Sequence, residues 1–314
     1  MVQSYPGLDL VEHRELVSGH RVLSNERDRE RSCERHTRGR LALCGSALED
    51  PLVSGMLYDD EAASLLERAY ATTDMIVQRE ASRKSLRASI GESILDLGSG
   101  PGFLACEIAE EVGETGRVFA VDISSDMNSI SATRAAAAGL SDRIEISEGD
   151  ATALTFPDSA FDAAVSTQVI EYLADPDAAL VELARVLRPG GRLVLIDTDW
   201  DSLVWAATDR DLAARIAAAW DEHLPDPHLP CSLLPRLRAA GFDIQEVRIV
   251  PILNTEYDPA TFSYSIAALI AAFVPGHRGI SENDATGWLN DLADLQQHGR
   301  YFFSLNRYLF VASR

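Results

Sequence analysis

Positive charge, and lysine above all, is what this chain lacks. One lysine, Lys84, occurs in 314 residues, and 28 Lys plus Arg face 49 Asp plus Glu for a net charge of −21. A nucleic-acid ligand needs basic patches to meet its phosphates, so that class of partner is not expected. Docking on an anionic membrane surface is disfavoured for the same reason. Cysteine is scarce too: Cys33, Cys44, Cys106 and Cys231 lie scattered with no C-x-x-C pair, which suggests neither a disulfide framework nor a zinc site. The apolar run Ile266 to Val274 near the C-terminus is far too short to span a bilayer. The start, Met-Val-Gln-Ser-Tyr-Pro, has neither a basic opening nor an apolar stretch of the secretory kind, so a cytoplasmic protein is expected. The acidic, lysine-poor balance suits a host in which salt screens self-repulsion, and equally a genome that favours arginine codons.

What is present is enough for a sizeable core, since 46% of the residues are hydrophobic. The densest signal is Ser93-Ile-Leu-Asp-Leu-Gly-Ser-Gly-Pro-Gly-Phe103. A short apolar strand runs into Gly98, Gly100 and Gly102, and a helix-forming run, Leu104 to Val112, follows. Glycine lets the backbone approach a ligand closely, and the helix after it offers unpaired N–H groups. Arg117 to Asp122 reads as a second strand ending in a carboxylate that can take both hydroxyls of a ribose. A dinucleotide fingerprint would place its third glycine at position 103, where this chain has phenylalanine. The pattern is therefore Asp96-x-Gly-x-Gly-x-Gly, and an NAD-type site fails on spacing.

Downstream, Ile123 and Met127 follow Asp122. Ile144 to Asp150 reads as a third strand ending in Gly149-Asp150-Ala151, and Ala163 to Thr167 as a fourth, followed by Gln168. Glu182 to Gly191 reads as a helix with a Pro-Gly-Gly stop, with a fifth strand over Arg192 to Asp197. These five motifs, in order over roughly residues 92–200, resemble those of class I S-adenosylmethionine-dependent methyltransferases, in the small-molecule, quinone-biosynthesis-like branch. The resemblance implies a Rossmann-like, doubly wound α/β fold. Its seven-stranded sheet would be mostly parallel with an antiparallel last strand, and a helical lid would be inserted. The cofactor it implies is S-adenosyl-L-methionine (SAM), with no metal. Carried over residue by residue, Asp96, Gly98, Ser99, Gly100 and Gly102 fall at the methionine end and Asp122 at the ribose. Ile123 and Met127 flank the adenine, Gly149, Asp150 and Ala151 meet its edge, and Thr167 and Gln168 lie near the sulfonium.

The rest of the chain divides around this core. Residues 1–55 hold the mixed-charge run Glu26 to Arg35 and read as a charged extension, mobile or an exposed helix. The methyltransferase domain is expected over 56–314, with its cofactor core at about 90–200. Substrate-facing segments are expected at about 56–88, 200–232 and 258–299. Phe262 to Phe273 and a Ser281-capped helix interrupt the last two strands by about 40 residues. That insertion reads as a lid over a small-molecule substrate, with a homodimer face as the rival reading. Methyl transfer from a sulfonium needs mainly alignment, and a base only for a protonated nucleophile. The candidates are Asp199 and Glu171 for base or substrate-orienting acid, with His228 and His277 as titratable alternatives. Tyr58, Arg79, Tyr172, Trp200, Tyr264, Asn306 and Arg307 are candidates for the substrate wall. The function so implied is methylation of a small, partly apolar acceptor. The alternatives are a non-methylating step such as cyclisation on the same fold, or an inactive SAM-binding protein.

Overall fold

The computed structural model describes residues 69–314. The charged extension 1–55, Tyr58 and the first part of the 56–88 segment lie outside the described residues.

The described chain alternates helices and strands. In order they are α1 (Thr73–Leu86), β1 (Ser93–Leu97), α2 (Phe103–Val112), β2 (Arg117–Asp122), α3 (Ser125–Ala137), β3 (Ile144–Glu148) and β4 (Phe161–Thr167). A 3₁₀ turn (Ile170–Tyr172), α4 (Pro176–Val186), β5 (Leu187–Trp205), α5 (Arg210–Trp220) and a second 3₁₀ turn (Asp221–His223) follow. The last elements are α6 (Pro230–Ala239), β6 (Asp243–Asn254), α7 (Phe262–Phe273), α8 (Glu282–Gln297) and β7 (Phe303–Ser313).

The strands form one seven-stranded sheet in the order β3-β2-β1-β4-β5-β7-β6. β1 to β5 run parallel, and β7 lies antiparallel between β5 and β6. β1 and β4 read as short, nearly unbroken apolar runs because helices cover both of their faces. On one face Leu180 and Leu183 of α4 and Leu233 and Leu237 of α6 pack on Leu95, Leu97, Ala164 and Phe161. On the other, Leu86 of α1, Leu104, Ile108 and Val112 of α2 and Ala135 of α3 pack on Ile94, Val118 and Val165. The order in which strands are added reverses between the parallel neighbours β1 and β4, and in open α/β sheets the crevice at that switch point is where ligands bind.

The expected elements recur, with one difference in the fifth strand. β5 runs over Leu187–Trp205 instead of 192–197. Pro189-Gly190-Gly191 does not interrupt it, because the Gly190 N–H donates to the Arg314 carbonyl and the Gly191 carbonyl accepts the Arg314 N–H. The final residue thus satisfies a turn that would otherwise need solvent. At its far end β5 passes Asp199, bulges over four residues and resumes pairing with β7 at Val204.

The insertion between β6 and β7 is α7 and α8. Ser281 caps α8 in a reciprocal box with Asp284. Asp74, in the first turn of α1, accepts the Phe262 N–H at 2.9 Å and the Asn254 side-chain amide at 3.0 Å, which ties the start of α7 to α1. Phe262, Ile266 and Ile270 of α7 join Trp288 and Leu292 of α8 and Trp200 and Trp220 in a third apolar cluster.

Candidate active site

The glycine turn after β1 is held open by its neighbours. Gly98, Gly100 and Gly102 have φ values of 69°, 52° and 79°, the left-handed region that costs other residues about 1–2 kcal/mol. A Cβ at Gly98 would lie 2.1 Å from a Val169 methyl carbon, and one at Gly102 2.2 Å from the Ser131 hydroxyl. Gly100 is different: a Cβ there meets only the Tyr70 hydroxyl, 3.8 Å away, and otherwise fills open space. Gly100 lines both a cavity of about 310 Å³ and a smaller recess beside it.

Asp122, at the end of β2, binds the turn directly. One carboxylate oxygen accepts the Gly100 N–H at 2.8 Å, and the other accepts the Ser124 N–H at 2.9 Å. Burial raises its pKa, and those two backbone bonds oppose the rise. Asp122 lines the cavity beside Ile123, Ser124 and the buried Met127, with Gly149, Asp150 and Ala151 at the next strand end. Asp150 is turned locally, accepting the Thr152 N–H and hydroxyl at 2.8 and 2.7 Å. At the end of β4, Gln168 has a left-handed φ of 57°, a strained position for a non-glycine residue on the cavity wall. Its side-chain amide donates to Thr198 Oγ1 at 3.3 Å.

The residues carried over for the methionine end divide. Gly98 and Gly100 line the cavity. Ser99, with Arg79, lines only the smaller recess beside it, which shares Tyr70, Met75, Thr167 and both of these glycines. Arg79 is held there by the Glu107 carboxylate at 2.8 Å and the Tyr70 carbonyl at 2.7 Å. Gly102 caps α2, and Phe103 lies under the Arg134 guanidinium, 3.4 Å from its ring centre. Asp96 is buried one layer beneath the turn and is not on the wall. Burial, with repulsion from Asp122 and Glu107, raises its pKa to about 7, and one of its oxygens has no partner.

Beyond Gln168 the cavity becomes apolar. Its far wall is Met75, Tyr172, Leu173, Trp200, Trp220, His223, Phe262, Ile266 and Leu269. Tyr172 and Trp200 are the two substrate-wall candidates found there. Neither carboxylate proposed as a base is. Glu171 is fully inside the protein, where it accepts the Thr198 N–H at 2.9 Å, and burial followed by repulsion from Asp197 raises its pKa. Asp197 accepts the Glu171 N–H at 3.3 Å in return, so the two acids lock the turn after β4 onto β5. Asp199 points to the start of α6, where His228 Nδ1 lies 3.3 Å and Cys231 Sγ 3.7 Å from its oxygens.

The remaining candidates sit elsewhere. Asn306 pairs with Asp199 across β5 and β7, and its N–H donates to the Ser202 hydroxyl. Arg307 is fully buried, donating to Gln78 Oε1 and packed 4.6 Å over the Phe262 ring, and burial lowers its pKa to about 10. Tyr264 packs on Tyr257, off the cavity, and His277 pairs with Glu222 on the surface. Met75, Trp220 and His223 are not among the sequence candidates, and Phe262 is there only as the first residue of the lid helix. The signal for two of them was there: Trp220 and His223 are three residues apart at a helix end, a spacing that puts side chains on one face.

A glycine turn at the switch point of a doubly wound sheet, with an acid at the next strand end, defines a nucleotide-cofactor-binding α/β protein. Comparison with known proteins narrows the class. Residues 95–195 match the family model of the methyltransferase domain. An uncharacterized 37.1 kDa protein in transposon TN4556 of Streptomyces fradiae is 30% identical over 292 residues, covering 89% of this chain and 77% of that protein. The ubiquinone/menaquinone biosynthesis C-methyltransferase UbiE of Hahella chejuensis is 37% identical over 107 residues, which are 34% of this chain and 43% of that protein. Among solved structures, the cyclase SpnF superposes with a TM-score of 0.51 at 26% identity, covering 76% of this chain and 80% of that one. Residues 95–195 form a methyltransferase domain of the class I, SAM-dependent kind, and over most of its length the chain is related to the transposon protein. The turn fits that family's cofactor: Gly100 leaves open a cradle that a side chain would fill, and Asp122 stands beside it.

Proposed function

We propose that the protein transfers a methyl group from SAM to a small, partly apolar organic acceptor by in-line displacement. The observation that carries this reading is the continuity of one cavity, from Asp122 and Asp150 through Gln168 to the aromatic wall of Trp200, Trp220 and Phe262. SAM supplies a methyl group already activated by the sulfonium charge. Asp122 would take the ribose hydroxyls, Ile123 and Met127 the adenine faces, and Asp150 with Ala151 the adenine edge. Gln168 and Thr167 border the stretch where the two halves of the cavity meet. Holding nucleophile and methyl in line is worth roughly 7–11 kcal/mol of barrier. The apolar side chains of α7 keep water from the reacting atoms.

The test is incubation with methyl-labelled SAM and a panel of small aromatic and alicyclic acceptors, reading S-adenosylhomocysteine and labelled product. Acceptor-dependent formation of both is the expected result. The similarity to SpnF favours a second reading, a cyclisation carried out in the same cavity with SAM bound but unspent. SAM binding without S-adenosylhomocysteine formation across the whole panel would support it over methyl transfer.

A further inference from the structure

Asp199 and Asp201 flank Trp200 on β5, and strand alternation sends the two carboxylates to one side and the indole to the other. Trp200 lines the cavity. The carboxylates meet His228, in the loop ahead of α6. His228 Nδ1 lies 3.3 Å from Asp199 Oδ1 and 3.4 Å from Asp201 Oδ2, and one donor atom from each of the three residues falls within 4.8 Å of the others. Cys231 Sγ lies 3.7 Å from the second Asp199 oxygen, Oδ2.

These separations are long for a hydrogen-bonded ion pair, in which a charged N–H···O bond closes to about 2.7–2.9 Å. Around a zinc ion held through nitrogen and oxygen at about 2.0–2.1 Å, tetrahedral ligand atoms stand about 3.3–3.4 Å apart. Asp199 is short of such a partner. It is 7% exposed, yet its tightest hydrogen bond is the 3.2 Å one from the Asp201 N–H. A buried carboxylate without a close donor or cation is costly. Asp221 and Asp226 add negative charge to the neighbourhood, and Arg278, the cation that acts on Asp221, is paired with Glu222. Asp201 and the His228 ring reach solvent, so an ion has a way in. Two carboxylates and an imidazole suit a borderline ion of the zinc class over Mg²⁺ or Ca²⁺, which take oxygen ligands.

We propose that Asp199, Asp201 and His228 Nδ1 bind a divalent cation of the zinc class, which braces the Trp200 wall of the cavity from behind. His228 binds through an unprotonated Nδ1, and water completes the coordination. Cys231 donates to the Asp199 oxygen that the ion leaves free, which orients the carboxylate. The brace falls where backbone pairing of β5 with β7 lapses, over residues 200–203, beyond the last pair that β5 makes with β4. The Trp200 N–H donates to the Pro227 carbonyl at 3.1 Å, one tie between this stretch and the loop that carries His228. The ion adds a second tie, on the side of the strand away from the cavity. None of its three ligands lines the cavity, so the metal-free cofactor site expected from the family resemblance stands beside it.

The test uses the full chain, stripped with EDTA, dialysed and freed of any affinity tag, then titrated calorimetrically with Zn²⁺ and separately with Mg²⁺ and Ca²⁺. A stoichiometric Zn²⁺ site is expected, at least about a hundredfold tighter for Zn²⁺ than for either other ion. Asp201→Asn and His228→Gln, both on side chains open to solvent, are expected to keep the melting temperature of the ion-free chain and to weaken Zn²⁺ binding at least about tenfold each. Cys231→Ser, which keeps a donor on Asp199, is expected to bind Zn²⁺ within about threefold of the wild-type chain. Zn²⁺ is expected to slow amide hydrogen exchange over residues 199–205 and 226–230 at least about tenfold in the wild-type chain and not in His228→Gln. No stoichiometric binding, binding that survives both Asp201→Asn and His228→Gln, binding abolished by Cys231→Ser, or equal affinity for Mg²⁺ would each overturn the site. Exchange unchanged by bound Zn²⁺ would overturn the brace.

Discussion

Gly100 is where conformation and ligand space can be separated by a single methyl group. Gly100→Ala places a Cβ at a φ of 52° with no protein atom nearer than 3.8 Å. The backbone cost is that of any L-residue in the left-handed region, about 1–2 kcal/mol. At about 2–4 °C per kcal/mol for a domain of this size, the melting temperature should fall by roughly 2–8 °C. Gly139→Ala is the matched control, because Gly139 has a φ of 69° with nothing within 4 Å of its Cβ position and lies outside the cavity. The two variants should melt together. They should differ in cofactor affinity, because the Gly100 methyl intrudes into the cradle. An intrusion of that size costs about 1–3 kcal/mol, or roughly 5- to 150-fold in affinity. Gly98→Ala marks the other extreme, because its Cβ would meet the stiff, β-branched Val169 at 2.1 Å and add an overpacking cost of about 1–3 kcal/mol to the strain. Differential scanning fluorimetry with and without S-adenosylhomocysteine, followed by calorimetry, reads both quantities. If Gly100→Ala binds S-adenosylhomocysteine as tightly as Gly139→Ala, the cofactor does not lie against this turn and the reasoning fails.

Asp122→Ala leaves the Gly100 and Ser124 N–H groups without their acceptor as well as removing the ribose contact. Cofactor affinity should drop at least about tenfold and stability by about 1–3 kcal/mol, read by calorimetry and chemical denaturation. Asp96 holds its proton far more tightly folded, with a pKa of about 7, than unfolded, near 3.9, so its contribution to stability is complete below about pH 4 and lost as pH rises through 7. Between pH 6 and pH 8 this group alone should cost about 1.4 kcal/mol, with the Glu171–Asp197 pair adding in the same direction. Denaturant midpoints across that range should fall in the wild-type chain and fall less in Asp96→Asn. Asp199→Asn, on a side chain turned toward His228 and Cys231, should leave S-adenosylhomocysteine affinity within about twofold, and a larger loss by calorimetry would place that carboxylate in the cofactor site.

The cofactor half of the cavity could be read from the chain because its parts are local. Gly98, Gly100 and Asp122 sit at strand ends whose lengths and apolar runs are visible within a few residues. Spacing alone separates Phe103 from the glycine of a dinucleotide fold. The acceptor half is assembled from distant segments: Met75 on α1, Trp200 on β5, Trp220 and His223 at the end of α5, and Phe262 on α7. No periodicity links those residues. Asp199 and Glu171 drew attention as acids at strand ends, yet strand alternation and the turn after β4 direct them into packed protein. Its spacing from Trp220 aside, nothing in the sequence singles out His223; its Nδ1 bond to the Trp220 carbonyl and its stacking on that ring arise only in the fold.

The central claim is that the turn around Gly100 and Asp122 holds SAM at one end of a single cavity whose other end holds the acceptor. Calorimetric titration of the full chain with S-adenosylhomocysteine, and separately with NAD, tests it most directly. The account predicts saturable one-to-one binding of S-adenosylhomocysteine, weakened in Gly100→Ala and Asp122→Ala, with NAD bound far more weakly. Tighter binding of NAD than of S-adenosylhomocysteine, or S-adenosylhomocysteine binding indifferent to both substitutions, would contradict it.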